Sequence, residues 1–288
     1  MQLCKISFSQ ETIDLLRFGT QVSPTIETDT NSTAKLIGYN VQLLFPKLLK
    51  DSNVVSVGVQ FQNFNLSFDD INGFNNSVYN IAYQLTYSRK ISDKWKVNTT
   101  LSAQLSSDLK DISMEDFKLK ENILFIRKKS NYKKFKVGLA VNHEYFGVNI
   151  VPLIGWYFMS KNEVHSLNIL LPTIINYKIK LSKNLFAGLN YQTLVDSYRL
   201  SENKQNAYIE QFNSGFSAFF EIVSNKNFFF TTNIGTSLNR QFNAFPTDRK
   251  YAIMIDGIGL NANKNSYNIN LNDGFFVEFK MGFRINQK

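Results

Sequence analysis

What this 288-residue chain lacks narrows its chemistry first. A single cysteine, Cys4, excludes an internal disulfide framework and a cysteine-based metal site. Two histidines, His143 and His165, leave little imidazole for catalysis or metal binding. No stretch approaches the ~18 uninterrupted apolar residues of a membrane helix. A chain of this kind that crossed a bilayer would have to do so with closed strands, because only helices and closed barrels satisfy every backbone group in hydrocarbon. Prolines number only five, and no Pro/Ser/Gly-rich linker or shift of composition divides the chain.

Against these absences stand 26 Phe and 13 Tyr, with a mean hydropathy of only -0.20. Such a chain must interleave apolar and polar positions. It does so with period two, the strand period. Ile37, Tyr39, Val41, Leu43 and Phe45 form one stripe, and Val55, Val57, Val59 and Phe61 the next. Tyr79, Ile81, Tyr83, Leu85 and Tyr87 lead through Ser92-Asp93-Lys94 to Trp95, Val97, Leu101 and Leu105, which reads as a tight hairpin. Phe135, Val137, Leu139 and Val141 continue the pattern, as do Phe212, Phe216, Phe220 and Ile222 before the turn Ser224-Asn225-Lys226-Asn227. Phe228, Phe230, Ile234 and Leu238 return, and the last stripe is Phe275, Val277, Phe279, Met281, Phe283 and Ile285. Residues 111–122 and 240–265 read mainly as loops.

The expected fold is all-β: a transmembrane antiparallel up-and-down β-barrel of about 12 strands, within the range 10–14, at ~24 residues per strand and connection. Three features favour lipid over a soluble sandwich. Alternation persists beyond the usual ~5–6 residues of soluble strands. The polar face is Asn, Gln, Ser, Thr and Gly rather than Lys and Glu. Aromatics sit at the ends of stripes (Tyr79, Tyr87, Trp95, Phe135, Phe275 and Phe283), as in the girdles of membrane barrels. Residues 1–10 read as a signal-peptide remnant or disordered terminus, and residues 11–288 as one barrel domain. Tight connections near Ser92, Ser182-Lys183-Asn184 and Ser224 are expected on the periplasmic side; longer ones, 106–116, 196–207 and 239–267, outside the cell. The net charge of +9 is assigned to solvated runs such as Arg127-Lys128-Lys129 and Lys133-Lys134, with anionic headgroups as the next reading; no nucleic acid is implied.

Ile150-Val151-Pro152-Leu153-Ile154-Gly155-Trp156-Tyr157 runs through Ser160-Lys161-Asn162 to Leu170-Leu171-Pro172-Thr173, Tyr177 and Leu181-Ser182-Lys183-Asn184. With Leu15-Leu16-Arg17-Phe18-Gly19, Phe61-Gln62-Asn63-Phe64-Asn65-Leu66 and the terminal aromatic stripe, this order of segments resembles a family of uncharacterised outer-membrane β-barrel proteins of the Bacteroidota. The resemblance implies a Gram-negative outer membrane, with lipid, lipopolysaccharide and the barrel-insertion machinery as partners, and no assigned activity. The chain departs from the pattern by continuing past Phe283 to Lys288 rather than finishing on an aromatic residue. Pro152 and Pro172 are expected at strand ends or bulges.

Chemistry is sparse. A lipid-modifying barrel enzyme would need a base such as His143, beside Glu144, or His165, but alternation puts both histidines on the lipid-facing parity. Asp69-Asp70 with Asn72 lacks the spaced ligands of a Ca²⁺ loop. Gly257-Ile258-Gly259 lacks the context of a dinucleotide site. No residue is assigned as catalytic, cofactor-binding or metal-binding. A passive pore, transport component or structural membrane protein leads; a lipid-acting enzyme and a soluble β-sandwich binding protein are the alternatives. Lys96, Gln104, Glu144 and Asn233 are the side chains expected to fill or narrow the bore.

Overall fold

The computed structural model describes residues 12–27, 33–68, 76–201, 207–224, 227–248, 250, 253–255, 258–259 and 271–286. The first strands are β1 (Thr12–Glu27), β2 (Thr33–Leu48), β3 (Val54–Phe68), β4 (Asn76–Lys90) and β5 (Trp95–Ser107). Next come β6 (Phe117–Ser130), β7 (Lys133–Glu144), β8 (Gly147–Met159) and two short strands, β9 (His165–Leu171) and β10 (Ile174–Lys180). The chain continues with β11 (Leu185–Arg199), β12 (Ala207–Val223), β13 (Phe228–Pro246), the small β14 (Ile253–Ile255) and β15 (Ile258–Gly259), and β16 (Phe275–Asn286).

Each strand from β1 to β12 pairs antiparallel with its successor, β13 pairs with β16, and β16 pairs with β1. The ring therefore closes with fourteen strands, at the upper end of the expected range, and no free edge remains between first and last. The connections that follow β2, β4, β6, β8, β10 and β12 lie at one end, called the turn end, together with the start of β1 and the finish of β16. Those that follow the odd-numbered strands lie at the other, the loop end, two residues long after β7 and β9 and longer after β5, β11 and β13.

Period-two alternation explains the wall. Phe45, Tyr83, Leu85, Leu101, Leu189, Phe216, Phe230 and Phe279 point outward and are exposed. Asn40, Gln62, Asn80, Thr86, Ser88, Asn98 and Ser102, on the opposite parity, are buried inside the ring. The soluble-sandwich reading fails here, because among the described residues the stripes meet no second sheet. Inward glycines make room for inward rings: a Cβ on Gly188 would lie 2.6 Å from the ring of Phe219, and one on Gly282 would lie 2.8 Å from that of Phe229.

Several expectations need correction. Of the stretch 111–122, residues from Phe117 onward belong to β6, and β13 takes in 240–246. Arg127-Lys128-Lys129 and Lys133-Lys134 are strand ends, not loops: Lys134 lies 5.2 Å over the ring of Tyr157 and Lys133 lies 5.8 Å over that of Phe158. Ammonium groups held over aromatic faces let the ladder run past the apolar band. Pro172 sits at the β9–β10 turn as expected, but Pro152 stands inside β8, above the level at which β8 acquires β9 as a neighbour at Ile154. Met1–Gln10 with Cys4, Asp69, Asp70, Asn72, Asn225, Lys226, Gly257 and Lys288 lie outside the described residues.

Candidate functional site

The regular wall fails in one sector. With seven residues each, β9 and β10 rise only part of the way that their neighbours do. The ladder from β10 to β11 ends at Ile174 and Gln192, and the Thr193 N–H donates to the Thr173 carbonyl at 3.0 Å. Beyond that point alternation disappears: every residue from Thr193 to Ser201 is buried, on both parities. A strand buried on both faces has left the wall. Arg199 pairs in parallel with Ser107 of β5, nearly half-way round the ring, and the Asp108 N–H donates to the Arg199 carbonyl at 3.1 Å. The end of β11, followed by the start of β12, thus crosses the bore at the loop end.

Two seals hold it there. One is apolar: Leu194, Tyr198, Leu200, Ala207 and Ile209 pack with Ile26 of β1, Leu36 of β2, Phe64 and Leu66 of β3 and Val78 of β4. Phe242 of β13 joins them, its ring 5.9 Å from that of Phe64. The other seal is ionic. Lys118 and Lys120 of β6 meet Glu144 of β7 at 2.7 and 2.9 Å, and both also pair with Asp196 of β11, Lys120 at 3.1 Å. The Lys118 ammonium donates to the Ser197 carbonyl at 2.6 Å, and the Ser197 hydroxyl donates to Glu144 at 2.6 Å while accepting the Tyr145 N–H at 2.9 Å. Arg199 reaches Glu115 at 3.3 Å, Asp116 at 3.5 Å and the Asp111 carbonyl at 3.1 Å.

Taking such charges out of water costs several kcal/mol per ion, so the network specifies one arrangement rather than supplying stability. Tyr145, in the β7–β8 turn, shows the same environment: burial and then the Asp116 and Glu144 carboxylates push its phenol well above its ordinary range.

Toward the turn end the inner wall is bridged rather than blocked. Glu221 of β12 takes Lys178 of β10 at 2.6 Å and Arg284 of β16 at 2.9 Å, and Arg284 also meets Asp14 of β1 at 3.0 Å. Arg284 stacks 3.9 Å over Phe229. Lys136 donates to Asn168 at 2.6 Å and Asn233 to Glu278 at 3.1 Å, and nearer the loop end Asn80 donates to Gln104 at 3.0 Å. Lys96, Gln104, Glu144 and Asn233 all fall on the inward parity, and Glu144 belongs to the ionic seal itself.

His143 points outward and is exposed, whereas Glu144 points inward, so the carboxylate beside it in sequence does not orient its imidazole. His165 is also outward and exposed; its Nδ1 lies 2.8 Å from the Tyr177 hydroxyl, in a stacked pair. The two histidines therefore sit on the outer surface, away from the buried network. Among the described residues no group of three or more His, Cys, Asp or Glu side chains is placed to hold a metal ion. Sequence reading passed over Lys118, Lys120 and Asp196. Their one local sign was charge of opposite kinds in segments read as loops, 111–122 and 196–207.

Comparison with known proteins gives likeness of fold at low identity. An outer-membrane channel from Pseudomonas putida F1 aligns with a TM-score of 0.47 and 6% identity, covering 95% of each chain. The TodX monoaromatic hydrocarbon channel aligns at 0.42 and 7% identity, over 96% of this chain and 90% of its own. The NanC porin aligns at 0.40 and 8% identity, over 94% and 100%. No curated protein matches the sequence. A family model does match, over residues 22–278, which is most of the barrel, and the chain belongs to that family, the domain of unknown function DUF6268.

Proposed function

We propose that the chain spans the outer membrane of a Gram-negative bacterium and acts there as a channel or transport component held closed at its loop end. One observation carries the reading: the two faces of the closed wall differ in kind. Exposed Phe, Leu, Ile and Tyr cover the outside, whereas the inside carries amides, hydroxyls and charges. Lipid would surround the outer band, and lipopolysaccharide would meet it in the outer leaflet. The insertion machinery for such barrels is the partner during biogenesis. Basic groups on the inner wall such as Arg17, Lys96 and Lys136 favour anions over cations. The crossing strand is tied to the wall by ion pairs and side-chain packing, so the closure is one that a change of conformation can undo.

Planar-bilayer recording tests this. The unaltered protein should conduct rarely. Lys118→Met with Lys120→Met leaves Glu144 and Asp196 facing each other without either ammonium, and should open at least tenfold more often. A double variant that stays silent while its β11–β12 segment has become open to added protease would overturn the channel reading.

A further inference from the structure

The sector of the short hairpin has a second consequence, on the outer face. Among the described residues, no strand of the ring fills the wall between β8 and β11 above β9 and β10. That notch is covered by β14, which pairs in parallel with β8 over only Ile253–Val148, Met254–Asn149 and Ile255–Ile150. Ile253 and Ile255 are exposed, continuing the apolar band across the notch, while Met254 turns inward and is buried. Behind it lie Phe146, Val195, Tyr208, Phe212 and Phe245, an apolar cluster between β14 and the bent sheet.

Immediately below, the outer surface is concave. A cavity of about 460 Å³ is lined by Tyr177, Leu189, Tyr191, Phe216, Ile234 and Phe275, with Ala218 and Gly235 among the smaller residues that line it. Groove and notch share one surface: Phe216 and Phe212 lie four residues apart on the same face of β12, which runs from the groove to pass beneath β14. One buried group there has no use in the fold. Asn149 is 1% exposed, in register between Asn142 and Met254, and neither atom of its amide finds a hydrogen-bond partner among the described residues. Leaving a buried amide unmet is costly, so a polar group arriving there would gain an available donor and acceptor.

We propose that groove and notch form a lateral path along which an elongated apolar molecule with one small hydrogen-bonding end group, such as a long-chain fatty acid, moves between the bilayer and the barrel interior, with β14 as its movable cover. The inference rests on the reading of the chain as membrane-spanning. The occupant follows from the lining. The groove and the notch cluster are apolar and aromatic, they open on the face that meets hydrocarbon, and the unmet Asn149 group is a neutral amide. The two closures also differ in strength. The bore is shut by a buried ionic network and a large apolar seal, the notch by three residue pairs and side-chain packing.

The test uses the whole protein, in a Cys4→Ser background, in phosphatidylcholine liposomes with a diazirine-bearing palmitic acid. Ile150→Cys and Ile255→Cys stand in register on one face of the ladder, at a separation a disulfide can span, and leave Asn149 and Met254 in place. In the reduced protein, irradiation should label Tyr191 and Phe216 in the groove, and also Phe146 and Phe212 behind β14. Oxidation should cut labelling of Phe146 and Phe212 at least tenfold and leave Tyr191 and Phe216 labelled. Ala218→Trp, which fills the groove from an exposed outward position, should reduce both together. Labelling behind β14 that ignores the disulfide would overturn the path. So would groove labelling no greater than at Tyr83 and Leu85 elsewhere on the band, or failure of the disulfide to form in the folded barrel. The labelling does not depend on conductance: a labelled barrel that never conducts sinks the channel reading alone, and a conducting barrel without this labelling sinks the path alone.

Discussion

The sectors β2–β5 and β8–β11 are built from the same alphabet and behave differently. In the first, β2 pairs with β3 from Ala34–Phe68 to Leu48–Val54 without a break, and β4 with β5 from Tyr79–Ser107 to Lys90–Lys96. In the second, β8 has β9 beside it only from Ile154 to Met159, and β11 loses β10 beyond Gln192. Long uninterrupted ladders make a wall. A short hairpin in the ring leaves the neighbouring strands with unpaired edges, and those edges must go elsewhere: β11 turns inward to Ser107, and β8 takes up β14. Closure of the bore and weakness of the wall thus have one origin, the length of β9 and β10.

The comparison can be broken by substitution. The largest effect is expected at Lys118: Lys118→Met leaves two buried carboxylates with Lys120 alone and should destabilise the crossed arrangement by about 3–5 kcal/mol, measured as a lower urea midpoint for protease protection of β11–β12. The β2–β5 wall should keep its protection; loss of both at once would mean that the two sectors are a single cooperative unit. Next comes the apolar seal. Ile26→Val removes one methylene from a fully buried position and should cost about 0.5–1.5 kcal/mol, visible in the same protection and absent from the stability of the turn end. Smaller again, on net, is Tyr177→Phe. It removes an exposed hydrogen bond to His165 and should shift the unfolding midpoint of the barrel in liposomes by less than the Ile26→Val change.

The smallest effect belongs to the β4–β5 turn. Lys90 and Asp93 pair at 2.8 Å with Asp93 almost wholly in solvent, and the Lys90 hydrogen bond and charge hold the Asp93 carboxyl below its usual value. A depressed folded-state pKa contributes stability above the unfolded-state value that is lost as pH falls through the folded-state one. Because water and salt screen the pair, Lys90→Ala should leave both the unfolding midpoint and its dependence on acid pH unchanged. A change there, with none at Lys118, would reverse the ranking of the two regions.

How much of this was legible in the sequence depends on where each residue's partner lies. Phe275 to Ile285 could be read as a strand because alternation is a local property, and the outward parity of His143 and His165 followed from it. The crossing segment had no local signature. Asp196, Ser197 and Arg199 look like a solvated loop until Lys118 and Glu144 are placed against them, 78 and 53 residues away in the chain. The same holds for Phe117 to Asn122: Phe117 and Leu119 alternate with Lys118 and Lys120, but Glu121 breaks the outward stripe, and the two lysines face carboxylates, not water. The lining of the bore was foreseen in part, because Gln104 and Asn233 sit on regular strands, whereas the ionic seal arises only where regularity ends.

The seam between β1 and β16 sets the order of assembly. Thr12 lies against Asn286 and Val22 against Val277, so the two strands that complete the cylinder are nearly the whole polypeptide apart. Contacts that distant are slow to form. Until residues 275–286 arrive, the growing sheet keeps two raw borders, each able to zip onto a neighbouring molecule. Whatever escorts the nascent chain must shield both borders until the final strand docks.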